Sequence, residues 1–103
     1  MSLVEAAALG MLIEAEGTVV RTALDRVKPH WEISFCNSDL ELISMALRLT
    51  QVGRVYLKKP SPGGIRSNYL MWTWGCYAQA NIEDLARQIS PYCMKARRIL
   101  ASL

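Results

Sequence analysis

The chain has 103 residues, 51% of them hydrophobic, and 12 Lys and Arg against 9 Asp and Glu give it a formal charge of +3. This length and apolar content suit a single domain with one core over residues 1–103 and exclude a disordered chain. The opening Met1-Ser2-Leu3-Val4-Glu5 has no basic segment ahead of an apolar one, and no apolar run nears the roughly 20 residues that span a bilayer; the expectation is a cytoplasmic or organellar-matrix protein, neither secreted nor membrane-bound.

Residues 3 to 15 read as a helix, since Ala6, Ala7, Ala8, Leu9, Met11, Leu12 and Ile13 are apolar almost all the way round and so need cover on several sides. Gly17 ends it, and residues 18 to 26 read as a strand rich in Val and Thr. Its face is ambiguous, because Val19 shares a face with Arg21, whose burial is implausible, so a bulge or the opposite register is open. From His30 the alternation is clean: Trp31, Ile33 and Phe35 form an apolar face against His30, Glu32 and Ser34. Ser38-Asp39-Leu40-Glu41 has capping-box spacing, and a helix with Leu40, Ile43 and Leu47 follows until Gly53. Residues 54 to 59 read as a strand, with Val55 and Leu57 buried and Tyr56 and Lys58 outward. A Pro- and Gly-rich loop leads to a strand over residues 66 to 74, where Trp72 and Trp74 share a core face. Asn81 is placed to cap a helix bearing Ile82, Leu85 and Ile89, and Pro91 to start a last one. The order αββαββα(α) implies an α+β fold: a four-stranded antiparallel sheet with helices on one face, the other face outward.

Charge is unevenly spread. Residues 42 to 82 hold no acid but carry Arg48, Arg54, Lys58, Lys59 and Arg66; residues 85 to 103 hold none but carry Arg87, Lys95, Arg97 and Arg98. Such stretches suit a polyanion, and an outward sheet face can lie along nucleic acid. Cys36, Cys76 and Cys93 are odd in number, widely spaced and accompanied by one histidine, which argues for reduced thiols over a disulfide frame or zinc site.

Leu9-Gly10-Met11-Leu12-Ile13-Glu14-Ala15-Glu16-Gly17, followed directly by a strand, resembles the signature of the LAGLIDADG homing endonucleases. Leu9, Leu12, Ile13, Ala15 and Gly17 are identical to it, Glu14 and Glu16 exchange its acids conservatively, and Met11 departs from its usual glycine at the close contact between two such helices. Phe35-Cys36-Asn37-Ser38-Asp39 and Ile89-Ser90-Pro91-Tyr92-Cys93-Met94-Lys95 are similar to two further segments of the family, in the same order. The resemblance implies a saddle-shaped sheet and a site-specific double-strand DNA endonuclease. One copy of the signature implies a homodimer on a palindromic or near-palindromic site, and the host element is of the intron or intein kind. It implies Mg²⁺ or Mn²⁺ at Glu16, water ordered by Asn37, and a basic helper at Lys95. The family lysine usually falls one residue later, at Ala96, which leaves Arg97 or loss of the helper as alternatives. Glu14, two residues from Glu16, points to a different side of the helix and is the weaker metal candidate, set against a structural hydrogen bond or salt bridge.

The residues themselves add detail. Ala6, Gly10, Ile13 and Gly17 lie near one stripe, and small residues at that spacing let two helices approach, so this stripe is the expected dimer interface. Contacts to double-stranded DNA are expected from Arg21, Arg26, Lys28, His30, Glu32, Ser34, Tyr56, Lys58, Arg66 and Asn68. Two other readings stay open: a regulator or maturase that binds DNA or RNA on this fold without cutting, and a dimerisation module with an incidental sheet.

Overall fold

The computed structural model describes residues 1–22, 30–58 and 71–103. Its first helix, α1 (Leu3–Glu16), opens on a capping box: the Glu5 N–H donates to Ser2 Oγ and the Ser2 N–H to Glu5 Oε1. Ala6, Leu9, Gly10 and Ile13 are its buried residues. The chain then turns straight into β1 (Gly17–Thr22), and Gly17 takes ordinary extended torsions. Glycine is needed there for space, since a Cβ would stand 2.8 Å from both Cα and O of Ile13.

Strand β2 (His30–Asn37) pairs with β1 in one unbroken register, Gly17 opposite Phe35 through Thr22 opposite His30, which rules out a bulge within β1. Val19 therefore faces the core with Ile33, and Arg21 shares that parity at the exposed edge of the sheet. Helix α2 (Leu40–Thr50) is capped by Asp39, whose side chain accepts from the Glu41 N–H; the expected box at Ser38 is not used. Asn37 Oδ1 takes the Asp39 N–H at 2.8 Å and shifts the start by one residue. The helix ends three residues before Gly53, with Gln51 in the left-handed region at φ 56° and Gly53 following at φ 84°.

Strands β3 (Arg54–Lys58) and β4 (Met71–Cys76) complete an antiparallel sheet of order β1-β2-β4-β3, so the central pair joins the two hairpins. Trp74 is fully buried against Phe35, and Trp72 packs on the core beside it, as their shared parity predicts. Leu57 has the inner parity but is 43% exposed, because β3 is an edge strand at the margin of the helix layer.

Helix α3 (Gln79–Ile89) starts earlier than Asn81 would place it, after Ala78, with no side-chain cap. Gln79 is engaged elsewhere: its amide bonds both the N–H and the C=O of Trp31 and so extends the ladder on β2 past the end of β4. Helix α4 (Met94–Ala101) starts three residues after Pro91, which sits in the intervening turn. All four helices bury Ile, Leu or Ala into one core with the inner faces of the strands, leaving the other sheet face outward. Among the described residues no helix is long and apolar enough to cross a membrane.

Candidate active site and nucleic-acid face

The polar groups around the C-terminal end of α1 hold two helices together. Glu14 Oε1 accepts the Lys95 backbone N–H at 3.1 Å and the Cys93 thiol at 3.7 Å. Helix α4 has no side-chain cap of its own, so Glu14 supplies one from across the fold. The Lys95 N–H and the neighbouring positive charge hold its carboxyl below the usual range, while burial pushes the Cys93 thiol up. In return, Lys95 Nζ donates to Gly17 O at 2.8 Å and to Ile13 O at 3.4 Å, placing a cation on the negative end of α1.

Glu16 directly precedes Gly17, whose carbonyl that ammonium group binds, and is exposed. Asn37 Nδ2 approaches its Oε2 at 3.4 Å, a long hydrogen bond that orients the carboxylate toward the end of β2. The structure thus brings Asn37 to Glu16, while the Lys95 ammonium sits on the carbonyls of Ile13 and of Gly17, the residue after Glu16. Ala96 is fully buried, so a side chain at that position points into the core. Arg97 bonds Ser90 O and Pro91 O in its own turn. Carboxylate and carboxamide oxygens are hard donors that fit Mg²⁺ or Mn²⁺. Among the described residues, though, no three His, Cys, Asp or Glu side chains cluster, so one protomer offers a partial donor set.

The expected dimer stripe needs correction. Ala6, Gly10, Ile13 and Gly17 are all buried within the protomer. A Cβ on Gly10 would meet Tyr92 Cβ at 2.9 Å and Ile89 O at 3.2 Å, so the close approach this glycine permits is to the turn between α3 and α4. The small-residue stripe packs inward because the core needs α1 close to the α3–α4 turn. Besides Leu3 and Glu16, α1 leaves outside Val4, Ala8, Met11 and Ala15, spaced four, three and four residues apart, with Val4 79% and Met11 60% exposed. That stripe runs directly to Glu16.

On the outward sheet face the register aligns Thr18, Ser34, Gly75 and Arg54 in one row and Cys36, Thr73 and Tyr56 in the next. His30, Glu32, Ser34, Tyr56 and Lys58 share this face, as their parity predicts; Arg21 has the opposite parity. Arg26, Lys28, Arg66 and Asn68 lie outside the described residues. Sequence reasoning missed one cluster on this face, at the β3 edge. The Arg54 guanidinium lies 5.3 Å from the Tyr56 ring centroid and 5.2 Å from that of Tyr77, and the two hydroxyls bond each other at 2.7 Å. Burial first, then the Tyr56 hydroxyl, pushes the Tyr77 phenol up to about 12. Arg54 was legible from the parity of Tyr56, but Tyr77 follows the strand and nothing in its neighbours marks it.

No protein-family model matches the chain, and neither does any curated protein. Solved structures do match. Homing endonuclease I-CvuI in complex with its target in the presence of Ca superposes with a TM-score of 0.71 at 12% identity, over 96% of this chain and 65% of that one. I-CvuI with the I-CreI target and Mg, its DNA not cleaved, gives 0.69 at 12% identity, over 95% and 64%. The archaeal intron-encoded homing endonuclease I-Vdi141I, complexed with DNA, gives 0.64 at 15% identity, over 86% and 55%. This chain therefore spans less than two thirds of the length of these proteins. Both the element order and the superposition place this chain in the fold of the LAGLIDADG homing endonucleases.

Proposed function

We propose that this chain is one half of a homodimeric, metal-dependent endonuclease that cuts both strands of a palindromic or near-palindromic DNA site. The observation that supports the reading is the position of Glu16, exposed at the last turn of α1 beside the apolar stripe and within reach of Asn37 at the end of β2. Packing two α1 helices along Val4, Ala8, Met11 and Ala15 sets two Glu16 side chains beside a twofold axis, completing a donor set that one protomer lacks. The paired Glu16 carboxylates would hold Mg²⁺ or Mn²⁺, which would supply Lewis-acid activation of water and charge neutralisation at the phosphate. Asn37 orients the carboxylate, and Lys95 offsets the helix dipole that a carboxylate at this end opposes. The outward face would supply the DNA surface, and His30, Glu32, Ser34, Tyr56 and Lys58, which share that face, would contact it. Arg21, Arg26, Lys28, Arg66 and Asn68 complete the proposed contacts.

Glu16→Gln tests this, keeping side-chain size while removing the charge. Binding of a selected duplex should persist and Mg²⁺-dependent cleavage should fall by a factor of a hundred or more, on the order of a lost preorganised electrostatic group. Cleavage at the parent rate would refute the site; selected binding by the parent without cleavage under Mg²⁺ or Mn²⁺ would favour the non-cutting regulator.

A further inference from the structure

The outward face carries one group of side chains arranged beyond what a phosphate contact requires. The Arg54 guanidinium lies over the rings of both Tyr56 and Tyr77, and their hydroxyls lock to each other at 2.7 Å. Gly75 makes this arrangement possible: a Cβ there would stand 2.6 Å from Tyr77 Cζ and 2.8 Å from Cε2, so the ring lies across the bare backbone. Rings hold a guanidinium by its face, which leaves the N–H groups at its edge free in the plane. Among the described residues none of those N–H groups is bonded to a side chain or carbonyl.

Glu32 adds the complementary group. The β2–β4 register ends at Ile33 opposite Cys76, so Glu32, on the outward face, and Tyr77 are the next residues past its end. The negative charge of Glu32 is felt by the Tyr77 phenol together with the positive charge of Arg54. A carboxylate there repels phosphate, whereas it accepts readily from an exocyclic amino group.

We propose that Arg54, seated on Tyr56 and Tyr77, reads the guanine of a G·C pair in the major groove, with Glu32 accepting from the amino group of the paired cytosine. This rests on the DNA-binding reading above and names the specificity determinant within it. A planar fork held at a fixed angle matches guanine O6 and N7 bidentately, and the carboxylate matches cytosine N4, so both halves of one base pair are read. The tyrosines act as positioning residues.

The test is selection of bound sites from a randomised palindromic duplex library, with salt dependence measured on the winning duplex. The parent should select G·C at one symmetric pair of positions. Arg54→Lys keeps the charge and loses the fork, so discrimination at those positions should drop roughly 5- to 150-fold while the rest of the site is unchanged. Tyr77→Leu, which removes the ring and leaves Arg54 intact, should relax the same positions with the salt slope unaltered. Retention of the parent preference by Arg54→Lys would overturn the proposal. So would an Arg54→Ala variant whose salt slope falls by about one with its sequence preference intact, the behaviour of a phosphate contact. If the parent selects no site at all, the DNA-binding reading fails and this one with it.

Discussion

Met11→Lys places a charge in the middle of the apolar stripe that α1 leaves outside the protomer. Met11 is 60% exposed in the single chain, so the substitution should leave the protomer's stability within about 0.5 kcal/mol of the parent. Across a twofold axis the effect is doubled. Full burial of a methionine contributes about 1.5–3 kcal/mol, and some of that is already gained in the protomer, so two copies forfeit about 2–4 kcal/mol. Two ammonium groups about 6 Å apart near the surface, at an effective dielectric of about 20, repel by about 3 kcal/mol. Lysine heads that bend away to solvent reduce this repulsion, which favours the lower part of the sum. The dimer dissociation constant should rise on the order of 10³- to 10⁵-fold. Sedimentation equilibrium from nanomolar to micromolar concentration measures it directly, with far-UV circular dichroism confirming that α1 remains folded. An unchanged dissociation constant, or a parent that is monomeric at micromolar concentration, would refute pairing through this stripe and with it the shared arrangement of two Glu16 carboxylates.

Gly10→Ala probes the inward face of the same helix. Alanine gains about 1 kcal/mol of helix propensity over glycine, but its Cβ at 2.9 Å from Tyr92 Cβ overpacks the α3–α4 turn at about 1–3 kcal/mol, so thermal melting should show a loss of up to about 2 kcal/mol with no change in association. Glu14→Gln should flatten the acid limb of stability. The Glu14 carboxyl is held below its unfolded value of 4.5, so its contribution is complete above that pH and is lost as pH falls through the folded value. Urea midpoints at pH 7 and at pH 3 should therefore differ less in the variant than in the parent; equal differences would show that Glu14 does not cap α4.

Much of the fold was legible because the strands obey a period of two. Trp31, Ile33 and Phe35 are buried as their alternation predicts, and His30, Glu32 and Ser34 face the other way. Helix starts were less legible. Ser38, Asn81 and Pro91 each have the chemistry of a start, yet the chain used Asp39, Ala78 and Cys93, because other side chains competed: Asn37 takes the Asp39 N–H, Gln79 is bound to Trp31, and Glu14 caps α4 from another helix. The stripe of α1 was misread for a related reason. An almost uniformly apolar helix has no preferred face in sequence, so only packing decides that Gly10 faces Tyr92 and Met11 faces out. Strand order was not legible either, since two hairpins can join through either edge.

The same competition sets Glu16 apart from its neighbours. Glu14, two residues earlier, has its carboxylate filled by the start of α4; Lys95 is spent on the carbonyls of Ile13 and Gly17; Asn37 Oδ1 is taken by the Asp39 N–H. Each of these polar groups has a structural task that accounts for its place. Glu16, among the described residues, meets a single long hydrogen bond from Asn37 and otherwise faces solvent. A carboxylate at the last turn of a helix opposes the macrodipole, so stability alone would favour almost any other residue there. The fold instead tolerates it, places a lysine on the adjacent carbonyls, and turns the backbone so sharply at Gly17 that no side chain fits between helix and strand. These features compensate for a carboxylate that makes one long hydrogen bond within the protomer, which leaves it free for the role proposed above.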